Sequence, residues 1–170
     1  MNIVIINYNS GNLASLINSI SNTAKKYEIT CKINISNKPE KKLNADRVIL
    51  PGVGELYNCK KQLQKIKNID EVLDEYIKKK ERPFLGICIG MQLMAKISYE
   101  RNKNAGLGFF DSEVKLIKKT SDNIKVPHMG WNDVFLKKDR KNFFPSLNNN
   151  NFYFVHSYHM QCKNEDEVLA

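Results

Sequence analysis

Residues 83–94, PFLGICIGMQLM, constrain this chain more than any other stretch. An apolar run with the character of a buried strand stops at Gly86-Ile87-Cys88-Ile89-Gly90, and a Met-rich segment at helical spacing follows. The pattern predicts a strand, a sharp turn and a helix. In the serine form of such a turn, small residues on both sides of the nucleophile let the backbone bend tightly and lift the side chain to the top of a sheet. Here the occupant is a thiol. A cysteine at a helix N-terminus lies in the positive end of the helix dipole, which favours thiolate. The same spacing also suits a buried core cysteine between two packing glycines, so spacing alone leaves both readings open.

A length of 170 residues is enough for one domain with a substantial core, and we read residues 1–170 as a single domain. No apolar run approaches the roughly 20 residues of a membrane helix, and no signal peptide precedes the first strand-like segment. A cytoplasmic protein without a membrane partner is expected. Cys31, Cys59, Cys88 and Cys162 are far apart, with no C-x-x-C pair and no clustering with histidine, so reduced thiols and no metal site are expected. Only Cys88 has a catalytic context. The net charge of +9 raises the question of nucleic acid. The lysines lie mostly at the ends of predicted elements, interspersed with Asp and Glu and without a binding motif, which fits a solvated surface and no nucleic-acid partner.

The continuous apolar run of residues 1–8 predicts a central strand, and Asn9-Ser10-Gly11-Asn12 a turn. Leu13, Leu16, Ile17 and Ile20 recur at helical spacing and predict a helix to about Lys26. Residues 31–36 alternate as an edge strand does, a polar loop surrounds Lys38-Pro39-Glu40, and residues 45–50 make the next strand. That strand runs into Pro51-Gly52-Val53-Gly54, a loop whose amides can approach a ligand closely. In an open parallel sheet, ligands bind at the carboxyl ends of the strands, where the Cys88 turn also falls. Helices are predicted over 57–66 and 69–80, then from 89 to about 99, with Met91, Leu93, Met94 and Ile97 on the core face and Gln92 one turn past Cys88 on its side. Beyond Gly106, strands are predicted at 108–118, 123–126, 131–136 and 152–158, with a polar loop over 139–151 and a last apolar strand beginning within 165–170. The expected fold is α/β: an open, mostly parallel sheet flanked by helices, with a small antiparallel extension.

Four segments fall in a recognisable order: Pro51-Gly52-Val53-Gly54, Gly86 to Gln92, Val126-Pro127-His128-Met129-Gly130-Trp131-Asn132, and Tyr153-Phe154-Val155-His156-Ser157-Tyr158. The chain thereby resembles the class I glutamine amidotransferases, and among them the glutaminase subunits of the imidazole glycerol phosphate synthases of histidine biosynthesis. The last two segments are the specific part. The resemblance implies that Cys88 attacks the side-chain amide of glutamine, giving a thioester and free ammonia, and that water then releases glutamate. It implies an oxyanion site made by the Ile89 amide and by amides of the 51–54 loop, Gly52 and Val53 among them. Because one lost donor typically costs about 10²–10³ in rate, a reorienting loop would act as a switch under partner control. The resemblance further implies that Gln92, Ser157 and Tyr158 hold the amino-acid end of glutamine. It implies a (β/α)₈ cyclase subunit that conducts the ammonia and docks against Asn12, Trp131 and Tyr153. No cofactor is implied.

One part of the family pattern does not match. A cysteine nucleophile of this kind needs a histidine oriented by a carboxylate, and the family supplies both from a late His-Pro-Glu motif. The histidines of this chain are His128, His156 and His159, and none is followed two residues on by Glu or Asp. His128 and His156 match family positions that are not the base and fit hydrogen-bonded structural roles. The expectation is a C-terminally incomplete form that binds its partner poorly and has little glutaminase activity. Two other readings stand beside the glutaminase: a paralogous subunit feeding ammonia to an amino or amidino sugar of a surface polysaccharide, and a non-catalytic binding subunit that keeps the fold.

Overall fold

A computed structural model describes residues 1–38, 44–119, 125–137, 147 and 149–170. The contacts divide the chain into two compact units, Met1–Met94 and Ala95–Ala170.

The first unit is a parallel sheet. Strands β1 (Asn2–Ile6), β2 (Lys32–Ser36), β3 (Arg47–Leu50) and β4 (Phe84–Gly86) lie in the order β2-β1-β3-β4, every pair parallel. The unbroken apolar run of β1 is buried on both faces, as its inner position requires. Helix α1 (Leu13–Lys26) keeps the predicted bounds, and its Leu13, Leu16, Ile17 and Ile20 pack on Ile3, Ile5 and Ile49 of the sheet. It starts at Asn12, whose side-chain oxygen accepts from the Ser15 amide at 3.1 Å. Helices α2 (Leu56–Leu63) and α3 (Ile69–Asp74) follow, and α3 continues into a π-helical turn over Glu75–Lys79. The buried Tyr76 hydroxyl reaches the Ala45 and Pro83 carbonyls at 3.2 and 3.3 Å, tying the segments that enter β3 and β4.

Two expectations for the elbow are corrected. Its strand is an edge of this sheet rather than a buried element, with Leu85 54% exposed. The helix after Cys88, α4, covers Ile89–Gln92 and not 89 to about 99. Leu93 and Met94 are buried as expected, but Met91 is 44% exposed, and Ala95–Ser98 is strand β5. The spacing of Met91, Leu93, Met94 and Ile97 suits a helix or a turn leading into a strand, and a short apolar run does not separate them. Pairing with a neighbouring strand selects the strand.

The second unit holds that neighbour. Strands β6 (Asn104–Ala105), β7 (Phe110–Leu116) and β10 (Tyr158–Cys162) join β5 in the order β10-β7-β5-β6. The β5–β7 pair is parallel, and the β10–β7 and β5–β6 pairs are antiparallel. Strands β8 (His128–Val134) and β9 (Asn150–His156) form a separate antiparallel pair. Strand β10 was not foreseen. The expected terminal strand is instead a 3₁₀ turn over Glu165–Glu167, where the Asn164 side chain accepts from the Asp166 amide at 3.0 Å and three acidic residues favour a helical N-terminus. Parts of three sequence expectations, the polar loop at Pro39-Glu40, the strand at 123–126 and the loop over 139–151, lie outside the described residues.

Candidate active site

The parallel order of the first unit puts the loops after β1, β3 and β4 at one end of the sheet. Cys88 stands in the last of them with φ 54° and ψ −113°, a positive φ that a side chain adopts at a cost of about 1–3 kcal/mol. The turn is held from both sides. The Ile87 amide donates to the Leu50 carbonyl at 3.0 Å, and the Gly90 amide donates back to the Ile87 carbonyl at 2.9 Å. The Cys88 carbonyl accepts the Met91 and Gln92 amides at 3.0 and 3.1 Å. The Cys88 side chain is exposed. No acceptor for the Ile89 amide is found among the described residues.

Two glycines make the crowding possible. A Cβ on Gly90 would collide with the Leu50 carbonyl, so the elbow lies on the end of β3 only because position 90 has no side chain. A Cβ on Gly52 would come within 2.6 Å of the Tyr8 hydroxyl and 2.8 Å of the Gly90 amide nitrogen. Gly52 is therefore wedged between the β1 loop and the elbow. The sequence placed the 51–54 loop beside Cys88, and the structure packs its Gly52 against Ile89 and Gly90.

Three residues that sequence reasoning missed complete this end of the unit. The buried Tyr8 hydroxyl donates to the Pro51 carbonyl at 2.6 Å. Burial, with the Cys59 thiol beside it, pushes the Tyr8 phenol well above its ordinary value. The Ser10 Oγ accepts from the Val53 amide at 3.0 Å and lies 3.1 Å from the Val53 carbonyl oxygen. The buried Cys59 thiol, on α2, donates to that same carbonyl at 3.2 Å. Cys59 lies six residues past Val53 on the helix that the loop feeds, so helical geometry could have flagged it. The reach of Ser10 across 43 residues of sequence carries no local signal.

Gln92 is buried at 5% exposure. Asn12 is exposed at the head of α1, engaged as its cap.

The remaining candidates belong to the second unit. Trp131 and Tyr153 face each other across the β8–β9 pair, their rings edge to face with centroids 5.6 Å apart, 71% and 56% exposed. Met129 and Val155, also exposed, continue the same face. On the opposite face His128 and His156 form a hydrogen-bonded chain, as expected of structural histidines. His156 Nδ1 donates to the Tyr158 carbonyl at 2.9 Å, so its Nε2 accepts from His128 Nδ1 at 3.0 Å. His128 Nε2 then accepts from the Asn132 amide nitrogen at 3.3 Å, an amide oriented by the Asp133 N–H on its oxygen. All four ring nitrogens are committed. The Ser157 carbonyl takes the Ile117 amide at 2.8 Å, which fixes the backbone between β9 and β10. No cluster of metal-ligating side chains and no helix long and apolar enough to cross a membrane is found among the described residues.

A parallel sheet, a cysteine held at positive φ over its carboxyl end and an amide-bearing glycine loop packed on the following turn come together in the first unit. The chain belongs to the class-I glutamine amidotransferases, whose family pattern it matches over residues 4–170. Among the proteins it resembles is the imidazole glycerol phosphate synthase subunit HisH of Rhizobium meliloti, 36% identical over all of this chain and 80% of that protein. The subunits of the same name from Pelagibacter ubique and Rhodospirillum rubrum are 37% and 38% identical, over 93% and 100% of this chain and 74% and 80% of theirs. A solved crystal structure of a glutamine amidotransferase shares the fold, with a TM-score of 0.64 at 18% identity, covering 98% of this chain and 78% of that one.

Proposed function

We propose that this chain is the glutaminase subunit of an imidazole glycerol phosphate synthase, hydrolysing glutamine to glutamate and ammonia for a (β/α)₈ cyclase partner in the cytoplasm. The observation that carries the chemistry is Cys88 at φ 54°, exposed and followed by the Ile89 amide, which has no acceptor among the described residues. The pathway rests on the likeness to the HisH subunits.

In this reading the Cys88 thiolate adds to the amide carbon of glutamine, and the tetrahedral oxyanion is met by the Ile89 amide and by amides of Gly52 and Val53. Collapse expels ammonia and leaves a thioester, which water resolves to glutamate. Gln92, Ser157 and Tyr158 hold the amino-acid end of the substrate, the last two through backbone groups. Asn12, Trp131 and Tyr153 dock the cyclase, which receives ammonia before water protonates it. The base toward Cys88 is none of the three histidines of this chain, since His128 and His156 spend every ring nitrogen within their own hydrogen-bond chain and His159 is exposed on β10 opposite Lys115. The 170-residue polypeptide is accordingly a slow glutaminase.

The test is covalent labelling. With the cyclase present, a chloroketone analogue of glutamine should modify Cys88, mapped by mass spectrometry, and excess glutamine should protect it. Absence of an adduct would reject the glutaminase in favour of a binding subunit.

A further inference from the structure

Strand β2 ends the parallel sheet, and among the described residues no strand pairs with its outer side. Its inner side is spent on β1: the Lys32 amide donates to the Met1 carbonyl and the Ser36 carbonyl accepts the Asn7 amide, both at 2.8 Å. Backbone groups alternate sides along a strand, so Lys32, Asn34 and Ser36 bond inward, and Ile33 and Ile35 turn their N–H and C=O groups outward. Edges that stay single are normally blunted by charged side chains, proline or a bulge. Over Lys32–Ser36 the register with β1 runs unbroken, the sequence KINIS holds no proline, and its one charge stands at the first position.

The two faces of β2 differ. Ile33 packs with Leu13, Leu16, Ile17 and Ile20 against Ile3, Ile5 and Ile49, which puts it on the α1 face. Ile35 follows on that face and is 48% exposed. Helix α1 has no fully buried residue, so this face is only partly covered. On the other face Asn34 donates one amide hydrogen to Asn2 Oδ1, and neither its second hydrogen nor its own oxygen has a partner among the described residues.

We propose that β2 is a self-association edge, on which a second copy of this chain adds its own β2 antiparallel about a two-fold axis at Asn34. The occupant follows from the pattern, because the strand is complementary to its own reverse. A two-fold at Asn34 opposes Ile33 to Ile35 of the second copy, Lys32 to Ser36 and Asn34 to Asn34. The outward groups of Ile33 and Ile35 then meet as hydrogen-bonded pairs, each exchanging both backbone bonds, and the isoleucines of both copies cover one another on the α1 face. Asn34 forms the closer, non-hydrogen-bonded kind of pair, in which each amide donates its second hydrogen to the other's oxygen. No lysine faces a lysine, so the net charge of +9 is kept off the contact. Registers shifted by one residue oppose outward groups to inward ones, and registers shifted by two shorten the overlap. The contact uses none of Asn12, Trp131 and Tyr153 and is independent of the glutaminase reading.

Two measurements on the full 170-residue chain test this. The first is sedimentation velocity over about two decades of concentration, up to about 1 mM. The wild type should pass from monomer to dimer. Ile35→Lys, which sets a charge on the edge, should weaken the dimer by about tenfold or more, and Trp131→Ala, on the β8–β9 pair, should leave it unchanged. The second reads the register by crosslinking. Asn34→Cys places its two thiols on a pair with Cα atoms about 4.5 Å apart, within disulfide reach, whereas Lys32→Cys places them about 14 Å apart. Under mild oxidation, mapped by mass spectrometry, Asn34→Cys should link to its own copy about tenfold faster than Lys32→Cys does. A wild type that stays monomeric throughout overturns the proposal. So does a dimer that Ile35→Lys leaves intact or that Trp131→Ala abolishes, since either assigns the association to another surface. Equal crosslinking of the two cysteine variants overturns the pairing at Asn34. Should Ile35→Lys fail to fold, the two cysteine variants decide.

Discussion

Gly90 is the residue on which the elbow depends most directly. Its missing side chain lets the turn after Cys88 rest on the Leu50 carbonyl, and the Ile87–Leu50 hydrogen bond follows from that contact. Gly90→Ala forces backbone against backbone, with no flexible side chain to give way. It should lower unfolding stability by about 1–3 kcal/mol, measured by denaturant titration, and abolish chloroketone labelling of Cys88. Asn12 carries two readings that one substitution separates. The family resemblance gives it a docking role, whereas its side chain caps α1. Ser is an equally good N-cap, and Ala costs about 1 kcal/mol. Asn12→Ser should keep the melting temperature while weakening cyclase binding in calorimetry; equal affinity would reduce Asn12 to a cap.

Among the elements, the β8–β9 pair has two faces with different business. One is internally satisfied, through the His128–His156–Asn132 chain and the stacking of His128 on Phe154 at 4.7 Å. The other leaves Met129, Trp131, Tyr153 and Val155 in water. An exposed tryptophan supported edge-on by a tyrosine is the composition of an interface anchor. Trp131→Ala should weaken association with the cyclase by about thirtyfold or more in a titration, the size of a hot spot of about 2 kcal/mol. Stability of the free chain should change by less than about 0.5 kcal/mol, because the ring is 71% exposed. A large stability loss with unchanged affinity would make Trp131 a packing residue.

For the whole molecule, the alkaline limit of stability should trace to Tyr8. Its phenol is buried and bonded to the Pro51 carbonyl, so the folded state raises its ionisation above the unfolded value near 10. The neutral phenol is what the fold stabilises, so this contribution is complete below pH ~10 and is lost as pH climbs toward the higher folded value. Tyr8→Phe should flatten the decline in stability above pH ~10, at the expense of one hydrogen bond at neutral pH. A decline as steep in Tyr8→Phe as in the wild type would place the alkaline limit elsewhere.

The sequence by itself determined the first 94 residues nearly element by element, because each signal there is local: the unbroken run of β1, the spacing of α1, the glycines beside Cys88. It determined the sharp turn around Cys88 and the family to which the chain belongs. Signals failed where the choice was made by a distant neighbour. Residues 95–98 read as helix and are a strand because β7 supplies their partner, and 165–170 read as strand and begin with a capped turn. Only the tertiary structure decided what the amides of the glycine loop face. Strand β1 lies beside β3, so the loops that follow them meet, and Ser10 closes on Val53 from 43 residues away with Cys59 on the far side. Sterics of a turn are written in adjacent residues, whereas the direction of a hydrogen bond between two loops depends on which strands became neighbours.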